Sequence, residues 1–164
     1  MRDMRYDDVF VIPCMWRARQ RANVIGMILT PNVHLIHRFY RDMWNRFDKS
    51  VFGEILAEDI KFRGSLGQDA VGYEEFAAYM DVIRRAFPDF TNTIEEIVSE
   101  GDRSVARLTY CGTHQGEVLG IAPTGRTIEY AGVAFFRFRE GRIAEVWVLG
   151  DVYGLLKQLK DEGG

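Results

Sequence analysis

Few ionisable side chains in this sequence stand where they could act on a small molecule, and Asp151 is the foremost carboxyl among them. It comes where the last predicted strand ends. A carboxyl that turned inward there would have a raised pKa, as a general base needs. Asp151 also directly precedes a predicted helix, where an aspartate accepts hydrogen bonds from unpaired backbone N–H groups. The sequence therefore offers two roles for Asp151, a catalytic base or a helix cap.

His114 is the second candidate for proton transfer. It lies near the end of a predicted strand, in the stretch Gly112-Thr113-His114, and an imidazole can give or take a proton near neutral pH. A structural hydrogen bond is the alternative. For Asp59, which follows Glu58, we predict a turn or strand-start role, with a catalytic role as the alternative.

Other polar side chains could orient a ligand. Tyr110, Tyr130 and Tyr153 could donate hydrogen bonds to a ligand carbonyl, although buried tyrosines are also common in protein cores. Arg63 and Arg107 fall within predicted strands, and either could bind a carboxylate or an ester carbonyl. The alternative for both arginines is an exposed sheet edge or a salt bridge.

No metal and no organic cofactor is predicted from the motifs. His34 and His37 lie three residues apart on a predicted helix, a spacing that can share a metal, but no third ligand is apparent. Cys14 and Cys111 form neither a metal spacing nor a disulfide framework. The sequence contains no glycine-rich phosphate loop, nucleophile elbow or zinc-binding helix.

Length and composition predict one globular domain. The 164 residues are 47% hydrophobic and 13% aromatic, which indicates a large core or an aromatic-lined pocket. The net charge of −3 gives no electrostatic reason to expect nucleic acid or an anionic membrane as a partner. The apolar run over residues 9–16 is too short to span a bilayer, and the arginines after it do not fit a signal-peptide cleavage site. We predict a cytoplasmic protein, since two cysteines fit a reducing compartment, with a single bridge left open.

The pattern divides the chain into an N-terminal extension, residues 1–30, and one domain, residues 31–164. Thr30 and Pro31 are a favourable cap and first position for a helix, and apolar residues then recur at helical spacing as far as Phe47. A short helix over residues 50–56, a strand over 59–63, a loop over 64–72 and a third helix over 73–87 follow. Pro88 ends the third helix.

From residue 91 onwards the apolar period changes to two. It predicts strands over residues 91–100, 104–114, 126–139 and 142–150, and then a short helix over 152–160. Gly101-Asp102 and Glu140-Gly141 supply tight turns. Helices followed by long antiparallel strands predict an α+β fold rather than alternating α/β.

The last predicted strand is apolar without alternation through Val146, Trp147, Val148 and Leu149. An antiparallel strand of this kind is covered on both faces. Because the helices can cover only one face of the sheet, we predict that a second subunit covers the other and that the protein is a homodimer.

Several stretches, taken in order, are similar to one known family. Residues 39–48 resemble its first-helix signature, and residues 87–90 (Phe-Pro-Asp-Phe) resemble its helix-to-strand corner. Residues 112–117 and 120–126 resemble its central hairpin, and residues 141–159 its C-terminal end. Over about residues 31–160 the chain thus resembles the SnoaL-like, polyketide-cyclase-like branch of the nuclear transport factor 2-like superfamily.

This resemblance implies a cone-shaped α+β barrel. A curved mixed or antiparallel sheet would wrap around three N-terminal helices, with a short C-terminal helix and a deep apolar pocket. Enzymes of the family catalyse aldol-type cyclisation of aromatic polyketide esters without a metal or organic cofactor, and relatives include isomerases, dehydratases and non-enzymatic binders. Because one fold hosts many functions, the resemblance implies fold more strongly than chemistry.

The resemblance also puts the catalytic aspartate of the cyclases at Val148 and a histidine of the same face at Val146. The polar pair that lines the cyclase pocket falls on Gly132 and Ala134. None of these four residues can move a proton, so the usual cyclase machinery is expected to be missing. A slip of one residue in strand register would reverse the two faces.

The remaining pattern predicts an apolar, roomy pocket, since small residues in mid-strand leave space. The alternative is that the small residues accommodate a large helix side chain. The predicted ligand-binding residues are Trp44, Phe62, Tyr130, Gly132, Ala134, Phe136, Val146 and Val148.

The sequence therefore predicts binding of a bulky, largely apolar small molecule. The first hypothesis is a cofactor-independent cyclase- or isomerase-type enzyme with non-standard catalytic residues, Asp151 and His114. The alternatives are a non-catalytic small-molecule binder or accessory dimer of the same fold, and an interaction module that uses the outer sheet face.

Overall fold

A computed structural model describes residues 30–160. The chain begins with helices: α1 (Pro31–Arg38), a π-helical turn (Phe39–Trp44), a 3-10 turn (Lys49–Val51) and α2 (Phe52–Ile55). Two strands, β1 (Leu56–Arg63) and β2 (Asp69–Val71), come before helix α3 (Gly72–Ala86). Four long strands follow: β3 (Thr91–Glu100), β4 (Arg103–Thr113), β5 (Thr127–Arg139) and β6 (Arg142–Gly150). Helix α4 (Val152–Lys160) comes last.

The strands form one curved six-stranded sheet in the order β2-β1-β6-β5-β4-β3. All neighbours are antiparallel except β1 and β6, which are parallel. The sheet is open, with β2 and β3 as its edges. The predicted α+β fold with a curved mixed sheet is confirmed, although the strands do not close into a barrel.

Local sequence signals account for most element boundaries. Thr30 caps α1 by accepting a hydrogen bond from the Val33 backbone N–H at 3.4 Å. The strands predicted from residue 91 onwards are confirmed to within one residue at each end, and α4 has its predicted bounds. The region predicted as a loop over residues 64–72 contains the short strand β2, in which Val71 pairs with Lys61 of β1.

The hydrophobic core lies between the helices and the inner face of the sheet. Strand β5 shows the alternation most clearly, because every second residue from Ile128 to Phe138 is buried. Tyr130, Gly132, Ala134 and Phe136 therefore share the buried face, as the alternation predicted. From the other side, Phe39, Met43 and Phe76 of the helical layer are fully buried against it.

The outer face of the sheet carries large apolar side chains that the described residues leave exposed. Phe135 is 49% exposed, Trp147 39% and Leu149 56%. The Arg63 guanidinium lies over the Trp147 ring at 5.0 Å from its centre. The prediction that a second subunit covers this face is untested by the single chain.

Three further predictions concern the whole chain. All of the predicted extension except Thr30 lies outside the described residues, so the boundary at residue 30 stays a prediction. No helix within residues 30–160 has the length and apolar character needed to cross a membrane. Cys111 is buried in β4 and is not a free thiol, so it lends no support to a reducing compartment, and the cytoplasmic location stays a prediction.

Candidate functional site

A small cavity lies between the helical layer and the inner face of the sheet. Its volume is about 30 Å³, which is room for a water molecule or two. Its wall contains the aliphatic residues Ile83 and Val148 and the polar residues Ser65 and Asn92. The rest of the wall is aromatic: Phe39, Tyr40, Trp44, Phe62, Tyr79, Phe90 and Tyr110. No Asp, Glu, His, Lys or Arg of the described residues lines it.

The π-helical turn places three of these rings. The backbone N–H of Asn45 donates to the Tyr40 carbonyl at 2.8 Å, and that of Asp48 donates to the Met43 carbonyl at 3.1 Å. Both bonds span five residues, the spacing of a π-helix, which occurs mostly as single turns and is frequent at functional sites. As a result Phe39, Tyr40 and Trp44 all face the sheet and are buried.

Asn45 fixes the end of this turn to strand β3. Its Oδ1 accepts hydrogen bonds from the backbone N–H of Asn92 at 2.8 Å and from Asn92 Nδ2 at 3.0 Å. Its Nδ2 donates to the Asn92 carbonyl at 3.1 Å. These three bonds hold the helical and sheet walls of the cavity in register.

The model of the SnoaL-like polyketide cyclase family matches residues 34–159, which is most of the chain. The chain belongs to this family. IdmH from Streptomyces antibioticus, described as a proposed polyketide cyclase, is 30% identical, with a TM-score of 0.68, over 78% of this chain and 97% of that one. AclR from Streptomyces galilaeus, described as a proposed hydroxylase, is 28% identical, with a TM-score of 0.69, over 83% of this chain and 89% of that one.

A proposed SnoaL-like polyketide cyclase from Jannaschia sp. CCS1 has a TM-score of 0.75 over 86% of this chain and 99% of that one. Its identity is 22%, so this likeness shows the fold alone. No curated protein matches the chain.

Only part of the predicted ligand-binding set reaches the cavity of this SnoaL-like protein. Trp44, Phe62 and Val148 line it. Tyr130, Gly132, Ala134, Phe136 and Val146 are on the same buried face but are not among the lining residues. Val148, where the resemblance puts the cyclase aspartate, thus presents an aliphatic side chain to the cavity. The ligand-binding role of the set stays a prediction.

The space that Gly132 leaves on β5 is filled by a ring. A Cβ added to Gly132 would lie 2.3 Å from Cε2 of Tyr110, far inside van der Waals contact. The side chain that fills this space comes from the neighbouring strand β4. The alternative prediction, a large side chain from a helix, was therefore wrong about its source. The structure therefore does not confirm a roomy pocket.

Three tyrosines of the cavity wall, Tyr40, Tyr79 and Tyr110, form a cluster with Tyr130, which is not part of the wall. The rings of Tyr110 and Tyr130 are 4.9 Å apart, and the Tyr130 hydroxyl makes a hydrogen bond with Ser65 Oγ at 3.1 Å. Burial raises the pKa of Tyr130 to about 12, and it raises the pKa of the other three well above the usual value. At neutral pH the cluster consists of uncharged phenols that donate hydrogen bonds and cannot act as bases.

Asp151 lies outside the cavity. Its carboxylate is exposed and accepts a hydrogen bond from the Gly154 backbone N–H at 2.8 Å, in the first turn of α4. A Cβ added to Gly154 would lie 2.3 Å from Oδ2 of Asp151, so the glycine leaves room for this cap. The geometry is that of a helix cap, and the catalytic role of Asp151 stays a prediction without a contact to support it.

His114 is fully buried at the end of β4, away from the cavity. Its Nδ1 accepts from the Thr124 backbone N–H at 3.2 Å and lies 3.1 Å from the Thr124 hydroxyl. Its ring packs on Phe87 at 5.5 Å between centres. Burial lowers the pKa of His114, so the ring is a neutral structural group at the start of the loop that connects β4 to β5. Its catalytic role also stays a prediction.

The remaining candidate site residues lie outside the cavity wall, and the charged ones among them make ion pairs or hydrogen bonds with other residues. Asp59 pairs with Arg139, and Arg107 Nε lies 3.5 Å from Glu96 Oε2. Arg63 donates to the Val148 carbonyl at 2.8 Å. Tyr153 is 75% exposed. Within residues 30–160 no three His, Cys, Asp or Glu side chains are grouped to hold a metal ion.

Sequence reasoning missed four lining residues with polar atoms, Tyr40, Ser65, Tyr79 and Asn92. The sequence did give a signal for Tyr40, since this residue belongs to the apolar stripe of the first predicted helix and its hydroxyl must be buried with the ring. The sequence gave no signal for Ser65 and Asn92, because serine and asparagine are common in loops and at strand starts.

Proposed function

We propose that this SnoaL-like protein binds a largely apolar small molecule in the aromatic cavity. The observation that supports this is the wall itself, which is built from rings and lacks any charged side chain within the described residues. An apolar ligand gains roughly 25 cal/mol for each Å² that it buries. A charged ligand would lose its hydration without gaining an ionic partner.

Binding a ring-sized molecule requires the wall to move. A cavity of about 30 Å³ is much smaller than a ring compound. Tyr110 is the natural side chain to move, because its ring occupies the space above Gly132. Binding is therefore coupled to a shift between a filled and an opened arrangement of the same rings.

Binding without proton abstraction is the function that this geometry supports best. Cyclisation needs a base next to the reacting carbon. Asp151 caps α4, His114 is bonded to Thr124, and the cavity tyrosines have raised pKa values. Among the described residues, no side chain that is basic at neutral pH lines the cavity.

A cofactor-independent cyclase or isomerase is the second candidate. The family match favours it, as does the likeness to IdmH, which is described as a proposed polyketide cyclase. In that case Asp151 or His114 would have to be the base, and Asp151→Asn would lower turnover of a candidate ester by about 100-fold or more. Unchanged turnover would remove Asp151 from the mechanism.

We also propose a homodimer that covers the outer face of the sheet. Phe135 and Trp147 form an edge-to-face pair 5.8 Å apart on that face, next to Leu149. An exposed apolar patch of this kind is typical of a protein interface.

The cavity is tested by blocking it. Native mass spectrometry of the expressed protein looks for a co-purifying ligand. The variant Val148→Phe places a ring in the cavity. The control is Val98→Phe, the same change at a side chain that is 64% exposed. We expect an apolar adduct on the wild type and on Val98→Phe, and its loss from Val148→Phe. An adduct that survives Val148→Phe would place the binding site elsewhere.

A further inference from the structure

The cavity wall contains two residues that lie outside helices and strands, Ser65 and Phe90. Ser65 belongs to the β1–β2 loop, residues 64–68, which joins those two strands. Phe90 belongs to the corner between α3 and β3, residues 87–90. A ligand can enter only where the wall opens, and connecting segments open at lower cost than packed helices and strands. These two segments are therefore the candidate entrances to the cavity.

The corner between α3 and β3 is firmly fixed. The Asp89 carboxylate accepts hydrogen bonds from the Thr113 backbone N–H at 2.6 Å and from the Thr113 hydroxyl at 2.7 Å. Bonds to an ionised group are roughly twice as strong as those between neutral groups. Phe87 and Phe90, on either side of Pro88 and Asp89, are both buried. Opening this corner would break both bonds and expose two rings, which makes it the costlier of the two openings.

The β1–β2 loop is held more weakly. Two of its hydrogen bonds are internal, because the Gly64 N–H donates to the Gln68 carbonyl at 2.8 Å and the Gly67 N–H donates to the Gly64 carbonyl at 3.0 Å. These bonds can move with the loop as one unit. Gly67 and Gln68 are exposed, and the single large apolar side chain of the loop, Leu66, is only half-buried. Lifting the loop therefore exposes little apolar surface.

The residues that flank the loop are anchored. Arg63 pairs with Trp147 of β6 on one side and with Asp69 of β2 on the other. Its guanidinium donates to the Val148 carbonyl at 2.8 Å. Within the loop, Gly67 has a φ of +85°, a conformation that glycine adopts without strain. Movement would thus be confined to residues 64–68, while β1 and β2 stay in the sheet.

Ser65 attaches the loop to the rest of the wall. Its hydroxyl makes a hydrogen bond with the Tyr130 hydroxyl of β5 at 3.1 Å, and the Tyr79 hydroxyl of α3 also interacts with the Ser65 side chain. Gly150 at the end of β6 allows this close approach, because a Cβ added there would lie 2.9 Å from the Ser65 Cβ. One serine hydroxyl therefore joins the helical layer to the sheet at the place where the loop covers the cavity.

We propose that the β1–β2 loop is the gate through which a ligand enters the cavity, and that the Ser65 hydroxyl is its latch. The inference rests on the proposed binding function and adds how access to the cavity is controlled. Tyr110 makes room inside the cavity, whereas the loop opens the way to it. The latch joins uncharged hydroxyls, whose bonds are weak enough to open and close again with each binding event.

The test measures binding rates by stopped-flow fluorescence with 1-aminoanthracene, an uncharged apolar probe. The wild type is compared with Ser65→Ala and with Tyr130→Phe, which removes the same bond from its other end at a residue outside the cavity wall. Ser104→Ala is the matched control. Ser104 is buried outside the cavity wall, and its hydroxyl donates to the Ser99 hydroxyl at 2.8 Å.

We expect Ser65→Ala to raise the association and dissociation rate constants by the same factor, about fivefold, as the loss of one hydroxyl bond allows. The latch breaks on opening whether or not the probe is bound, so the dissociation constant should change by less than about twofold. Tyr130→Phe should accelerate both steps as well. The double variant should gain less than the product of the two single factors, because both changes remove one bond. Ser104→Ala should keep the wild-type rates.

The outcomes separate this inference from the proposed function. If the wild type does not bind the probe, the proposed cavity function fails and the inference fails with it. If the wild type binds but Ser65→Ala keeps the wild-type rates, or changes the dissociation rate constant alone, cavity binding stands and the gate is overturned. The gate is also overturned if Ser104→Ala accelerates binding as much as Ser65→Ala does. Fully multiplicative effects of Ser65→Ala and Tyr130→Phe would overturn the latch that joins them.

Discussion

The two faces of strands β5 and β6 are both rich in apolar residues, yet only one is buried. Phe136 on the inner face is 2% exposed, and its chain neighbour Phe135 on the outer face is 49% exposed. Val148 and Leu149 repeat the contrast on β6, at 5% and 56%. Inside, the rings pack on helices and surround the cavity. Outside, the Phe135 ring contacts the Trp147 ring, and the Arg63 guanidinium lies over Trp147.

Packing within the domain accounts for the apolar residues on the inner face of the sheet. It does not account for those on the outer face. On the outer face, Phe135 and Trp147 gain a cross-strand ring contact, but both side chains stay largely exposed. The proposed dimer would cover these outer residues, and the following predictions test each face against the other.

The largest difference is expected between two neighbouring phenylalanines. Phe136→Ala should lower the free energy of unfolding by about 3–5 kcal/mol, because it empties a packed site between Phe39 and Tyr40. Phe135→Ala should change it by about 0.5 kcal/mol or less. Urea denaturation at protein concentrations low enough to keep the chains apart measures both. Equal losses would contradict the assignment of the faces.

Gly132 tests how tightly the inner face is filled. Gly132→Ala should cost about 1–3 kcal/mol, since the new methyl group would overlap the Tyr110 ring. The same change at Gly53, where an added Cβ meets nothing within 4 Å, should cost nothing and is the control. A neutral Gly132→Ala would show that Tyr110 leaves the notch easily, and it would favour a roomier pocket.

The outer face is tested by charge. Leu149→Glu should raise the dissociation constant of the proposed dimer at least tenfold, which corresponds to about 1.4 kcal/mol. Light scattering should give the wild type twice the chain mass of 18.9 kDa. The same change at Leu119, which is 43% exposed in the 114–126 loop and outside the sheet, should leave the mass unchanged. A wild-type mass of 18.9 kDa at micromolar concentration would refute the dimer.

The smallest expected effect is a pH dependence from His114. Burial lowers its pKa below the usual 6.5. Just below pH 6.5, His114 is therefore protonated in the unfolded chain but still neutral in the folded chain. The free energy of unfolding should therefore fall as the pH drops below 6.5, by at most about 1.4 kcal/mol per pH unit from this residue. His114→Gln should make the profile less steep, while the slope that comes from His37, whose pKa burial also lowers, should remain. An equal slope in the wild type and His114→Gln would contradict a buried neutral imidazole.

The strands from residue 91 onwards and the inward face of β5 could be predicted because period-two alternation is a local property. Tyr130, Gly132, Ala134 and Phe136 follow it without interruption. Strand β2 could not be found this way, since Asp69, Ala70 and Val71 are too few residues to show a period. It exists because β1 offers an edge to pair with.

The site was harder to predict because its geometry joins distant parts of the chain. Small residues on β5 predicted empty space, but Tyr110 leans diagonally across the strand pair into Gly132, and such diagonal contacts depend on register. The burial of Tyr40 in the cavity wall depends on a π-helical turn that helical periodicity does not reveal. For Asp151, both candidate roles followed from the sequence, and the contact with Gly154 favours the cap.

The parallel pairing of β1 with β6 also affects how the chain folds while it is being synthesised. Strand β6 lies between β1 and β5, and the Arg63 contact with Val148 joins residues 85 positions apart. During synthesis, until residues 142–150 have left the ribosome, β6 cannot join the two pieces of the sheet, β2-β1 and β5-β4-β3. Each piece has an unpaired apolar edge that invites association with other chains. Nascent chains that stall near residue 140 should therefore depend on chaperones far more than the completed protein does.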